Sequence, residues 1–367
     1  AVDQNYKAAT RDLARYYYSL ETEEDNRKAL DYYLQYIEYN PKDTDTLLHI
    51  GLIYESGLGV PLNIDLARRY YERAAEQDET GMAYNFLGGT YMNDEETENN
   101  ERKAVHYFQK AIELGNTNAM FRISYYLHNG KGGLQVDIPR EIELLTEASK
   151  RGNHQATYRL GLLFEDNESG MAQNLELSVK YFQLAADNGI LAAINKMGEL
   201  YLFGEVIPAN LTKAISCFTA ASEQGYGKAS YWLGRLHTDG IGQLEKDTQK
   251  AMNYYRKAIE QGYEEAREWM EQLQKNLVDE TITDIEIPQD KSDEELYKEA
   301  KNALEKAQFK TAYAYFSYLT QRNHAESFNE LGDMYFYGRG MAINQAKALE
   351  LYKKAAALDS VYGFFNV

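Results

Sequence analysis

ASYWLGRLHTDGIGQLEKDTQKAMNYYRKAIEQGY, residues 229–263, is the stretch whose reading decides the fold. Ala229, Leu233, Leu236 and His237 fall at helical spacing, which predicts a helix over 228–238. Gly240-Ile-Gly242 ends it, because glycine tolerates the left-handed conformation that a helix stop requires. Ala251, Tyr254, Tyr255, Ala258 and Ile259 form the apolar stripe of a second helix over 248–261, stopped at Gly262. One such pair buries too little apolar surface to fold alone, whereas stacked pairs share a continuous core.

Further copies are found by subtraction. The glycine at position 234 recurs as Gly51, Gly88, Gly161, Gly198 and Gly332, with Ser124 standing in once. The steps from 51 to 88, 124, 161, 198 and 234 are 37, 36, 37, 37 and 36 residues. A second anchor keeps the same phase: Ala74, Ala111, Ala148, Ala185, Ala221, Ala258 and Ala355 occupy one place in the second helix. A small residue there lets neighbouring helices approach closely. The third copy diverges: LHNGKGGLQVDIP lengthens its glycine loop, and Leu144-Leu145 replaces the usual aromatic pair.

HIGLIYESGLGV (49–60) with ARRYYERAAE (67–76), and ELGDMYFYGRGM (330–341) with KALELYKKAAA (347–357), resemble the Sel1-like repeat family, a branch of the tetratricopeptide-type solenoids. The resemblance covers most of the chain. It implies an all-α, right-handed superhelical solenoid of antiparallel helix pairs that binds other proteins and has no catalytic residues. About sixteen helices are expected, with strands nearly absent.

In order, the chain reads as a tetratricopeptide-like pair (4–40), then six Sel1-like copies over 44–79, 80–116, 117–153, 154–189, 190–226 and 227–263. A capping helix over 264–277 completes an N-terminal array, 1–277. VDETITDIEIPQDKS (278–292) reads as a linker, and 293–367 as a second, short and truncated array opened by a capping box at SDEE. SVYGFFNV stops partway into what reads as another first helix, so the natural protein is expected to continue.

Net charge is −18, which repels phosphate backbones and argues against nucleic acid as a partner. No apolar run is long enough to insert into a membrane. Cys217, the one cysteine, stands where other copies carry Tyr or Phe and is expected to be buried and inert. The six histidines have no metal spacing, so neither metal nor cofactor is expected. His237 occupies the site of Tyr54, Tyr91 and Tyr201 and reads as a packing residue. Gly57-x-Gly59, Gly240-x-Gly242 and Gly338-x-Gly340 follow no strand, so they read as turns rather than phosphate loops. The acidic runs Asp94–Glu98 and Asp166-x-Glu168 lack the ligand order of a calcium loop. Asn210-Leu-Thr212 and Asn167-Glu-Ser169 match glycosylation sequons that matter only in a secreted eukaryotic protein.

The expected function is a non-catalytic adaptor or scaffold for protein or peptide partners. The alternative is a targeting or regulatory module of a larger protein whose catalytic or sensor part lies elsewhere. Solenoids of this type carry the first helix of each pair on the concave side. The position three residues before the anchor glycine is expected to be exposed there, as is the one just after it. The candidate partner-binding residues are Asn85, Tyr125, Tyr158, Asn195, Tyr231 and Arg235. A carboxamide both donates and accepts, which suits a peptide backbone, and Tyr offers a rigid face with a polar tip.

Overall fold

A computed structural model describes residues 2–94, 97–166, 173–241, 244–273, 285–288, 290–337, 339 and 345–358. Nineteen helices form and no strand occurs among the described residues, three helices more than the sequence reading expected. Each pair and the cap contribute, with every helix short. The chain divides into two compact units, Ala1–Met197 and Gly198–Val367.

In the first unit, consecutive helices pack as the pairs α1–α2 (Val2–Tyr18, Glu23–Tyr39), α3–α4 (Thr44–Ser56, Ile64–Ala75), α5–α6 (Met82–Met92, Glu98–Glu113), α7–α8 (Thr117–Asn129, Ile138–Lys150) and α9–α10 (His154–Glu165, Leu175–Asp187). The unit boundary falls inside α11 (Leu191–Phe203). The second unit holds α12 (Leu211–Glu223), the pair α13–α14 (Gly227–Asp239, Thr248–Glu260), a helix α15 over 266–273, and the pairs α16–α17 (Asp293–Glu305, Phe309–Gln321) and α18–α19 (Ala325–Tyr337, Gln345–Ala357).

The anchor glycines are explained by rings. A Cβ on Gly51 would lie 2.3 Å from the Tyr71 ring. On Gly88, Gly161, Gly198, Gly234 and Gly332 it would lie 2.5 or 2.6 Å from Phe108, Phe182, Phe218, Tyr255 and Tyr352. The second helix presses a buried aromatic onto bare backbone of the first, and no larger residue fits beneath it. One turn after each of Ala67, Ala104, Ser178, Ala214, Ala251 and Ala348 comes that ring, and these small residues are themselves buried. The alanines of the second anchor are all fully buried. Outside this lock, aromatic pairs stack between the two helices: Tyr54 on Tyr70, Tyr91 on Tyr107, Phe164 on Tyr181 and His237 on Tyr254, with centroids 5.6–6.0 Å apart.

The third repeat changes the lock as a set. Leu145 replaces the ring, and Ser124 replaces the glycine, donating its hydroxyl to the Phe121 carbonyl at 2.7 Å. Glu141 takes the small-residue position and is fully buried. Its carboxylate is satisfied by His128 Nδ1 at 3.0 Å and by Arg159 Nε at 3.1 Å.

Caps fix the helix starts and tie neighbours together. Asn63, Asp137, Asn174, Asn210 and Asp247 each accept a backbone N–H at the start of a second helix. Asn116 and Asn153 do this for α7 and α9 and also donate their Nδ2 to the carbonyls of Thr80 at 3.3 Å and Thr117 at 3.1 Å in the preceding pair. Asn210, the first residue of a sequon, thus has a structural task. Gly57, Gly59 and Gly240 adopt the left-handed conformation expected of turns. Ser292 and Glu295 form the expected capping box.

Of the expected linker, 278–284 and 289 lie outside the described residues, as do 274–277 of the cap, Gly242, Gly338, Gly340, Glu95, Glu96, the segment 167–172 and the chain end 359–367. Cys217 is half-buried rather than buried, because its position lies at the edge of the ring stack, where Tyr201 meets Lys213 instead of a second ring. Burial raises the Cys217 thiol above its ordinary pKa.

Candidate partner-binding face of the first helices

The position three residues before the anchor does not behave as the sequence reading expected. Asn85 is 4% exposed and Asn195 2%. Tyr158 and Tyr231 are half-buried. Three residues back is about 60° around a helix from the glycine, so this position shares the glycine's contact with the second helix. Tyr158 lies against the Phe182 ring (5.6 Å between centroids) and Tyr231 against Tyr255 (6.0 Å). The position just after the anchor lies about 100° round. Tyr125 there is 40% exposed, and Arg235 is half-buried.

In the first unit, Tyr125 stands beside Tyr126 and accepts a hydrogen bond at its phenol from Lys131 at 3.1 Å. The position two before the anchor reaches the ring of the preceding pair: Phe86 on Tyr71, Arg122 over Phe108, Lys196 over Phe182. Asn85 Oδ1 has no hydrogen-bond partner among the described residues.

In the second unit, Tyr231 and Arg235 belong to one cluster. Arg235 Nη1 donates to the Tyr231 phenol at 3.0 Å, and its guanidinium lies 3.8 Å from the centre of the Trp269 ring on α15. Tyr231 also meets Trp232, Tyr263 and Trp269. Trp269 remains 39% exposed. Burial pushes the Tyr255 phenol beneath them up to about 12, so it stays protonated and shares a hydrogen bond with Thr238. In α18, burial raises the Asp333 carboxyl while a hydrogen bond from the Tyr352 phenol at 2.8 Å opposes it.

Arg122 and Trp269 were missed from the sequence. Arg122 had a signal, since Arg122, Arg159 and Lys196 repeat two residues before successive anchors. Trp269 had none, because its contact with Arg235 is tertiary. Among the described residues no group of three or more His, Cys, Asp or Glu is placed to hold a metal ion, and no helix is long and apolar enough to cross a membrane.

Helix pairs locked ring-on-glycine at a spacing of 36 or 37 residues define a tetratricopeptide-type α/α solenoid. The chain belongs to the Sel1 repeat family, which it matches over residues 7–35, 46–79, 81–116, 117–153, 154–190, 191–226, 227–263 and 325–360. The matched segments include 7–35, read from sequence as the tetratricopeptide-like pair. The Sel1-repeat-containing protein YjcO of Escherichia coli K12 is 33% identical over 78 residues, which span 21% of this chain and 34% of that protein. Protein sel-1 homolog 2 of Rattus norvegicus is 40% identical over 70 residues, 19% of this chain and 10% of its own length. The chain thus covers about a third of the bacterial relative and less of the rat one. Among solved structures, a Sel1 repeat protein from Oxalobacter formigenes superposes with a TM-score of 0.60 at 22% identity, over 67% of this chain and 98% of that one. c5321, a protective antigen of uropathogenic Escherichia coli with the same repeat fold, gives 0.53 at 19% identity over 99% and 79%. Sel1 repeat proteins generally act in protein–protein interactions.

Proposed function

We propose that this chain is a non-catalytic adaptor that holds protein or peptide segments against its first helices. The observation that carries this reading is the Tyr231–Arg235–Trp269 cluster. Tyr, Trp and Arg are the side chains that concentrate binding energy at interfaces. Here they hold one another in place before any partner arrives, which lowers the ordering cost of binding. Tyr125 supplies a comparable outward-facing ring in the first unit. Asn195, fully packed, supports the face instead of touching a partner. The net charge of −18 favours protein partners over phosphate backbones.

The test is to identify a partner by affinity capture and then measure Kd with purified components. Arg235→Ala and Tyr125→Ala should each weaken binding by about tenfold or more, the scale of an interface hot spot. Lys180→Ala, on the exposed side of α10, should leave it unchanged. Equal affinity for all three, with helicity intact, moves the interface off the first helices.

A further inference from the structure

α1 exposes a stripe that the first helix of every anchored pair buries. Ala14 holds its anchor position, 37 residues before Gly51. The stripe is Ala9, Leu13 and Tyr16, which share one helical face. All three are exposed, Leu13 by 41% and Tyr16 by 58%. The matching positions elsewhere lie five residues and one residue before the anchor and two residues after it. In every anchored pair the first of these, from Thr46 to Ser327, is fully buried. The second, from Ile50 to Leu331, is at most 5% exposed, and the third, from Ile53 to Met334, at most 9%. The pair in front supplies that cover, and α1 has none in front of it among the described residues.

An uncovered front face need not be apolar. α16 opens the second run of pairs with Ala300 in the anchor position, and its stripe reads Glu295, Glu299 and Asn302. Glu295 closes the capping box and Glu299 pairs with Lys291. A repeat array that ends in water needs such a polar outer face. α1 instead keeps the small and large apolar residues of a docked helix.

The opposite side of a junction is exposed at α19. Where two pairs meet, the residue three before the buried ring reaches the last position of the next stripe: Arg68 Nε donates to Thr90 Oγ1 at 3.1 Å. Leu30, Val105 and Met252, at the register of Arg68, are 3 or 4% exposed, whereas Leu349 is 40% exposed. Phe336, also 40% exposed, holds the register from which Glu165 meets Lys196 of the following pair at 2.8 Å.

We propose that the stripe of Ala9, Leu13 and Tyr16 docks on Leu349 and Phe336 of a second copy of this chain, front to rear. The contact repeats the junction that joins consecutive pairs, with Leu349 in the place of Arg68 and Tyr16 in the place of Thr90. A second copy is the occupant because the two exposed faces are the two sides of one junction, in matching register. The contact is heterologous, so association runs on past the dimer into a ring or a filament. It goes beyond the adaptor reading and does not depend on it.

Sedimentation velocity of the full chain over a dilution series is the test. The wild type should gain mass past the dimer as concentration rises. Leu13→Glu combined with Tyr16→Glu blocks the front face, and Leu349→Glu blocks the rear one. Each variant alone should associate at least about tenfold more weakly, the scale of an interface hot spot. The substituted side chains are exposed, so helicity and the denaturation midpoint should hold. Mixed in equal amounts, the two variants should form a dimer and nothing larger, because one intact front face then meets one intact rear face. A wild type that stays monomeric, or a mixture that does, overturns the proposal. So does a Leu349→Glu variant that associates like the wild type, which would mean that front faces pair with each other. None of these outcomes touches the adaptor reading, whose failure shows in the Arg235 and Tyr125 measurements.

Discussion

The third repeat and its neighbours solve one packing problem in two ways. In the pairs on either side, a glycine lies bare beneath a buried ring, with a small residue one turn before that ring. In the third pair the ring is gone, the glycine carries a hydroxymethyl group as Ser124, and the small-residue position is taken by the buried Glu141, whose carboxylate meets His128 and Arg159. The positions therefore vary together: glycine goes with a ring and a small residue, serine with leucine and a buried acid. An apolar joint has been exchanged for a polar one within the same backbone frame.

The largest test of this comparison imports the third-repeat solution into the fourth. Gly161→Ser should destabilise by roughly 3 kcal/mol, because the new side chain meets the Phe182 ring. Adding Phe182→Leu should cost far less than the sum of the two single changes, and a double-mutant cycle in denaturant reads that coupling. Strict additivity would break the claim that the positions form a set.

The second test addresses what the third repeat retains. Ala148 and Ala185 are both fully buried at the same register. Ala148→Leu and Ala185→Leu should each cost about 2 kcal/mol by overpacking. An unchanged denaturation midpoint in the third repeat alone would mean that its polar joint has loosened the whole pair.

The smallest effect is expected at the polar joint itself. Glu141→Gln should cost about 1 kcal/mol, since His128 and Arg159 reach solvent and rehydrate when the charge is removed. A loss of several kcal/mol would show that His128 and Arg159 are held without access to water.

The repeats were legible because glycine and alanine recur in phase, and a period survives divergence at any one copy. Ser124 was legible as a substitution but not as one member of a set, since its reason lies 21 residues away in Leu145. The face was legible in part. Tyr125 is exposed, whereas Arg235 is half-buried and Asn85 and Asn195 are packed. A helical wheel orders positions around an axis but does not say which arc meets the second helix. That arc is centred on the ring-bearing side of the glycine, so the position three residues back falls inside it.

Asn116 and Asn153 carry a consequence for how such a chain lengthens. Each closes its own helix and reaches the carbonyl at the head of the preceding first helix. Donor and acceptor therefore reside in every copy that has the pattern, one at its leading edge and one at its trailing edge. A duplicated segment arrives with both halves of its own joint, so gene duplication can extend the array without a compensating change in either neighbour.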